Sequence, residues 1–570
     1  MAGRARLQTD PFWTAFSISL IVLCLIRIPL TGIIGIEGMG YMAVPMEIFI
    51  LLFTVFNEVT AQITRNFMTP RMNENRIPDG MRFFQFVLRT CLVAGVFLGI
   101  LFFAGSKPLA LCFSGSVEVY IIFAAMAPGI AAASVIGVMR GYLASIRREA
   151  AAVLALYFQS LFQLILGIIF AVKYAGQGEK VGALLKQDHF RGIYGAAGAM
   201  GGFSAAAVLT MLLLVILCVH AGRRGSGYYS GPGFFGFEDT RDGVRKMYFS
   251  AALPTAMAYI LPNLGVLTNI RIFTAFASEP VLQTTEAVSD TQMVGAEAAA
   301  AVSALKNMTG SIHGRIGGYY CVSCGAAMAV VFLLIIPLIK LMYGASIALA
   351  KEDYQGFRGR YQIFLKLICF SGIPSAVFLC VCARAAAGML LGFESEPATA
   401  ALRIEAIGIF LYAVWFLLLI LYQRIGWSVE LMISQIGAFL LQLILSFLFN
   451  AAFDIGISAV AWCHVLFPLF SILILFILSR RLVVSRRGRG ILIPALTCLG
   501  CSLPGALLVL LLQNALIDSL GFLAAWILGL VFFWLFYIVI TVLTGAVDKR
   551  NIMRLPGGGF VLLLAELMNR

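Results

Sequence analysis

Charge is scarce in this chain. Only 12% of its 570 residues are Asp, Glu, Lys or Arg, about half the share a soluble domain carries, so a water-soluble globular fold is excluded. Histidine is scarcer, four in all. None lies within a helical turn of the close cysteine pairs Cys321/Cys324, Cys380/Cys382 and Cys498/Cys501. Zinc is therefore not expected, and the scattered cysteines read as small buried membrane residues, with a Cys321–Cys324 redox pair as the alternative. Glycine-rich phosphate loops and a nucleophile elbow are missing, which argues against an ATPase engine or a hydrolase. We expect no enzyme activity, metal or cofactor. Strand-type alternation is missing too, which excludes a β-barrel. No convincing cleavage site follows Arg4 and Arg6, so the first apolar run reads as a retained helix.

What the chain does have is apolar length. Hydrophobic residues make up 61% of it, in runs of the roughly 20 residues that cross a bilayer as a helix. The runs place about fourteen spans, at 12–33, 42–64, 83–105, 119–140, 151–173, 193–220, 247–273, 317–342, 361–391, 402–423, 430–450, 456–479, 491–513 and 521–545. The formal charge of +14 sits in short connections, as orientation signals do; nucleic acid is not an expected partner. With the amino terminus inside, Arg65, Arg71, Arg76 and Arg82, then Arg140, Arg147 and Arg148, and later basic clusters fall on the cytoplasmic side. Both termini are then cytoplasmic, Lys173–Arg191 is a mixed-charge outer loop, 276–316 is an outer insertion or re-entrant element, and Phe560–Leu567 lies on the inner surface.

An internal repeat accompanies the spans. Leu161-Phe162-Gln163-Leu164-Ile165-Leu166 recurs as Leu440-Leu441-Gln442-Leu443-Ile444-Leu445, and Ile26-Arg27-Ile28 as Ile270-Arg271-Ile272. The order of the matches gives two parallel six-helix lobes, an arrangement of transporters. The expected fold is an all-α integral membrane protein with these lobes around a central cleft plus two C-terminal helices. The division reads 1–221 (first lobe), 222–246 (cytoplasmic linker), 247–482 (second lobe) and 483–570 (last two spans and tail).

Ionisable residues at membrane depth are costly, by several kcal/mol, and so are candidates for function. Arg27 lies roughly 21 Å beyond Trp13 along a helix, next to Pro29, which bends it. Snorkelling to the interface is the competing reading for Arg27, and more so for Arg271. Facing each other across a cleft, the two would hold a diphosphate. Glu47 pairs with Arg27, exchanges a proton or binds a cation. Glu58, Arg65 and Arg89 are placed toward an inner gate, with interfacial roles as the alternative. Gln159, Gln163, Gln435 and Gln442 join helices or line a cavity.

Arg27-Ile28-Pro29-Leu30, Gly35, Glu37-Gly38, Tyr41 and Pro45 resemble the first hairpin of the multidrug/oligosaccharidyl-lipid/polysaccharide exporter superfamily. The likeness is to the polysaccharide-exporter branch that includes stage V sporulation protein B and, further off, the lipid II flippases. Ala127-Pro128, Arg140-Gly141-Tyr142 and Gly372-Ile373-Pro374 resemble that branch's later spans. The resemblance implies a flippase in the bacterial plasma membrane that moves an undecaprenyl-pyrophosphate-linked glycan by alternating access. Its partners would be the lipid-linked substrate, membrane lipids, and glycosyltransferases or a polymerase. An H⁺- or Na⁺-coupled multidrug exporter and a non-transporting scaffold for polysaccharide synthesis are the alternatives. Phe56-Asn57-Glu58-Val59-Thr60 departs from the branch's small, hydrophobic end of span 2.

Overall fold

The computed structural model describes residues 11–225, 239–277, 311–453, 455–478 and 489–544. Among these, twelve helical segments are long and apolar enough to cross a membrane. Two of them, Pro11–Asn73 and Ile493–Thr544, hold 63 and 52 residues, far more than the roughly 20 that one crossing needs. Each is broken at a glycine, Gly35 (φ 76°, ψ 170°) and Gly521 (φ 81°, ψ 172°), a backbone conformation that side chains disfavour. The chain folds back there: Arg27 and Glu47 touch, although twenty residues of straight helix would part them by about 30 Å. Counting both breaks as hairpin turns gives the fourteen crossings expected from hydropathy.

The first hairpin comprises α1 (Pro11–Leu25) and α2 (Arg27–Thr54), then a π-turn, Val55–Val59, and α3 (Thr60–Asn73). The first half continues with α4 (Ile77–Ala104), the short α5 (Ser106–Ser114), α6 (Tyr120–Ser145), α7 (Glu149–Leu185) and α8 (His189–Gly225). The second half repeats this order. It runs α9 (Arg241–Phe276), α10 (Ile312–Gly318), a second π-turn at Tyr319–Cys324, α11 (Gly325–Ala350), α12 (Tyr354–Val381), the short α13 (Ala383–Leu391), α14 (Glu396–Ile425), α15 (Ser428–Ala451) and α16 (Ile457–Leu478). The correspondence is detailed. Both α4 and α12 have 28 residues, both α5 and α13 have nine, and each short helix ends on a left-handed glycine, Gly115 or Gly392. Leu161 stands as far from the start of α7 as Leu440 stands from the start of α15, so the repeated hexamers occupy equal places.

The last hairpin, α17 (Arg489–Thr544), packs on α12. The Tyr537 hydroxyl donates to the Phe370 carbonyl at 2.8 Å, and Phe378 packs against Phe533.

Several boundaries differ from expectation. The segment 173–191 is not a loop, because α7 and α8 run through it and leave only residues 186–188 between them. Lys180 and Arg191 lie near the facing ends of α7 and α8, and Lys173 lies further inside α7, where it is exposed; charge there extends an apolar helix beyond the membrane. Of the expected insertion at 276–316, residues 312–316 belong to α10; residues 278–310 and the tail Phe560–Leu567 lie outside the described residues. The start of α9 packs on the first half, through Tyr248 against Phe83 and Phe86. Its end packs on the second half, through Phe276 against Phe447. Pro254 and Pro262 lie between these contacts, where missing amide donors soften a helix.

Candidate functional site

A cavity lies between the halves, with about 790 Å³ of empty space counting its mouth. From the first half it is lined by Phe16, Leu20, Cys24, Arg27, Glu47, Ile50 and Thr54. From the second come Tyr259, Asn263, Cys324, Phe332, Tyr412, Trp415 and His464. Arg27 is 4% exposed. It points away from lipid and into this seam because the Gly35 turn folds α2 back beside it. Its guanidinium crosses to the second half: Nη1 donates to the Tyr320 carbonyl at 3.0 Å, and the Tyr320 ring lies 3.8 Å from Cζ. Nη2 stands 3.5 Å from Glu47 Oε1, a long contact for a charge-assisted pair. The π-turn that holds Tyr320 is the kind of helix irregularity often found at functional sites.

A second buried cluster occupies the other wall. Glu405, 1% exposed in α14, has both carboxylate oxygens 2.9 Å from His464 Nδ1. It also accepts from the Tyr319 hydroxyl at 3.0 Å. Tyr412 donates to the His464 carbonyl at 3.0 Å and lies against the imidazole. The cavity therefore carries an Arg–Glu pair on one side and a His–Glu pair on the other. Sequence reading missed the second pair. The signal was present, a carboxylate and one of four histidines within apolar runs, but Glu405 lies only a turn inside the span expected at 402–423, a depth at which hydropathy does not separate a buried carboxylate from an interfacial one.

The two ends of the cavity differ. Toward Gly35 the halves meet closely: a Cβ on Gly40 would fall 1.9 Å from the His313 carbonyl oxygen, and one on Gly317 would fall 1.9 Å from that of Ile36. Tyr41 stacks on His313 at 4.1 Å, and Ser311 donates to Glu37 at 2.6 Å. Toward the opposite end a thinner bridge crosses the seam. Gln62 donates to the Tyr259 hydroxyl at 3.3 Å, which donates to Gln423 Oε1 at 3.1 Å. Beyond the bridge lies a polar vestibule lined by Arg65, Arg147 and Arg424 among others. At that end Asp239, just before α9, is held by Arg71 at 2.6 Å and Arg76 at 3.2 Å.

The expected site residues are distributed unevenly. Arg27 and Glu47 line the cavity. Arg271 does not face Arg27: it is exposed near the end of α9 and donates to Thr274 at 3.4 Å, the snorkelling outcome. Arg89 is exposed and lines neither space. Arg65 lines the vestibule, over the Phe12 ring at 4.6 Å. Glu58 is not interfacial, nor Arg140 a surface signal. They pair at 3.3 Å with side chains 1% and 0% exposed, inside the first half. Gln159, Gln163, Gln435 and Gln442 are buried, but none lines the cavity. Gln159 accepts from Asn57 at 3.2 Å and Gln435 donates to Ser471 at 2.9 Å, so these two join helices. Cys321 and Cys324 are both free thiols; Cys321 takes the Thr31 hydroxyl at 3.0 Å and Cys324 lines the cavity.

No protein-family model matches the sequence, and no curated protein matches it. Solved structures do. The lipid II flippase MurJ in an inward closed conformation has a TM-score of 0.56 at 14% identity, covering 93% of this chain and 98% of that one. An inward-facing multidrug resistance MATE family transporter of the MOP superfamily has a TM-score of 0.51 at 14% identity, covering 84% and 95%. A MATE structure in complex with MaL6 gives 0.53, 14%, 85% and 98%. The chain therefore has the fold of MOP-superfamily membrane transporters, the superfamily its first hairpin resembles. At this identity the likeness is one of fold alone.

Proposed function

We propose that the chain is a flippase for a lipid-linked glycan whose head carries a diphosphate, an undecaprenyl-pyrophosphate-linked repeat unit or cell-wall precursor. One observation carries the reading: the Arg27 guanidinium is held at membrane depth on a cavity shared by both halves. A fixed cation there offsets the desolvation of an anionic head while the polyprenyl tail stays in lipid. The aromatic walls of Phe16, Tyr259, Tyr412 and Trp415 suit the apolar faces of sugar rings. MurJ, whose structure overlays more of this chain than the MATE structures do, supports the same substrate class. The basic end faces the cytoplasm by the positive-inside rule, so the cavity loads from the inner leaflet in the plasma membrane. Rocking the halves would break the Tyr259 bridge at one end and the Gly40–Gly317 seal at the other in turn. In proteoliposomes holding a fluorescent polyprenyl-diphosphate disaccharide, Arg27→Glu should abolish flipping with normal protein levels; undiminished flipping would remove Arg27 from the mechanism.

A second reading, a proton-coupled exporter of cationic compounds, is favoured by the Glu405–His464 pair. Buried carboxylates exchanging protons against a cation are what that chemistry needs. A pH-gradient-driven accumulation of a cationic dye in vesicles, abolished by Glu405→Gln and indifferent to Arg27→Gln, would select this reading over the first.

A further inference from the structure

The vestibule below the Tyr259 bridge is absorbed by neither reading. It holds about 1780 Å³ of empty space counting open solvent, and it takes cations from both halves. Arg65 comes from α3, Arg147 from the turn between α6 and α7, and Arg424 from the end of α14. Two of the three are held in place. Arg65 lies over Phe12 at 4.6 Å and Arg424 over Tyr343 at 4.2 Å, so ring faces fix both guanidinium planes. Arg147 sits in a left-handed backbone conformation, φ 62°, that non-glycine residues adopt sparingly; it donates to Asn73 at 3.5 Å. Glu74 and Glu149 also line the space, so its charged lining is three cations and two carboxylates. Preset guanidinium planes around a wet space favour multidentate binding of phosphate oxygens over a diffuse ion cloud.

The vestibule and the deep cavity are lined by consecutive parts of the same first crossings. Pro11 lines the first and Phe16 the second; Arg65 lines the first and Thr54 the second. Between them Gln423, next to Arg424, closes the bridge with Tyr259. We propose that the vestibule is a second, separate anion site that binds the diphosphate of a lipid headgroup before the bridge opens, a loading station ahead of Arg27. The proposal rests on the flippase reading for its lipid, but the binding site is measured without transport.

The test titrates inorganic pyrophosphate into the purified full-length chain in nanodiscs, by calorimetry at low and high salt. Arg147 is exposed, so Arg147→Gln removes a charge without disturbing packing; Arg424→Lys keeps the charge but loses the planar fork. The expected result is binding that weakens about tenfold in Arg147→Gln and in Arg424→Lys, and that falls with salt as a wet site should. Arg89→Gln, at an exposed cation that lines neither space, should change it less than twofold. A short-chain prenyl diphosphate should displace pyrophosphate competitively, which identifies a lipid headgroup as the occupant. Pyrophosphate binding that the prenyl diphosphate cannot displace would make this a free-phosphate site and overturn the loading role. Equal weakening in Arg89→Gln and Arg147→Gln, or no change in either vestibule variant, would overturn the second site itself. Loss of flipping in the transport assay with these titrations unchanged would strike the flippase reading alone.

Discussion

One crossing carries the carboxylates of two buried Arg–Glu pairs that have come to different ends. Arg27–Glu47 lines the cavity between the halves, whereas Arg140–Glu58 is enclosed within the first half. Glu47 and Glu58 are eleven residues apart, three turns, and on a regular helix they would share one face. The cavity-facing stripe runs Glu47, Ile50, Thr54, and the next positions in that series are Asn57 and Glu58. The π-turn at Val55–Val59 interrupts the series. A π-turn takes an extra residue into its loop, so everything beyond Thr54 is rotated off the stripe. Asn57 and Glu58 turn inward to meet Arg140, whose Nη1 also donates to Asn57 Oδ1 at 2.6 Å while Nε donates to the Ala152 carbonyl at 3.2 Å. One pair is left with a long 3.5 Å contact and an opening beside it, its cation tied across the seam to the Tyr320 carbonyl; the other is enclosed within one half and tied there to Asn57 and Ala152. The difference separates a group poised to bind from a group that holds helices together.

The sharpest way to break the contrast is to remove the enclosed cation. Arg140→Ala leaves Glu58 buried without its partner, a change that typically destabilises by about 3–5 kcal/mol. The variant should be lost from the monodisperse fraction in size-exclusion chromatography, and Glu58→Gln added to it should recover part of the loss. A stable Arg140→Ala protein with full flipping would mean the pair does not hold the first half together. Arg27→Met should behave in the opposite way. Its pair is loose and faces a cavity, so the protein should fold with a melting temperature near that of the parent while flipping falls at least tenfold, which corresponds to about 1.4 kcal/mol of lost substrate interaction. Collapse of the fold in this variant would reverse the roles assigned to the two pairs.

Much of this was legible before any coordinates. Apolar length gave the crossings, and the Arg27-to-Pro45 hairpin pointed to the superfamily whose fold the structure has. The depth of Arg27 marked it as unusual because charge in hydrocarbon is costly wherever it sits. Direction was not legible. Hydropathy says how deep Glu58 and Arg140 lie but not which way they point, and a π-turn has no signature in a string of Val, Phe and Asn. Arg271 differs: it stands two residues from the end of the span expected at 247–273, which already favoured snorkelling over facing Arg27, and it is exposed near the end of α9. Of the two readings of the four buried glutamines, Gln159 and Gln435 follow the joining of helices, and none of the four lines the cavity.

A smaller effect refines the account of Arg27. The Tyr320 ring under its guanidinium contributes on the order of 0.5–2 kcal/mol when desolvated. Tyr320→Leu keeps the backbone carbonyl that accepts from Nη1 but loses the ring, so the headgroup should bind a few-fold more weakly, read as a raised half-saturating substrate concentration with an unchanged maximal flipping rate. A lowered maximal rate at unchanged half-saturation would instead place Tyr320 in the conformational step.

The smallest expected change tests whether buried polarity inside one half resembles polarity on the cavity. Gln163 is fully buried, and neither amide atom has a hydrogen-bond partner among the described residues. At the matching place in the second half, Gln442 lies against the glycine surface of Gly265. An unpaired amide in a dry interior costs free energy, and an apolar side chain of similar size removes that cost. Gln163→Leu should therefore melt within about 1 kcal/mol of the parent, on the stabilising side if either, and flip substrate at the parental rate. A destabilisation above about 2 kcal/mol would show that the amide serves a buried water or ion, and the first half would then hold a polar site of its own.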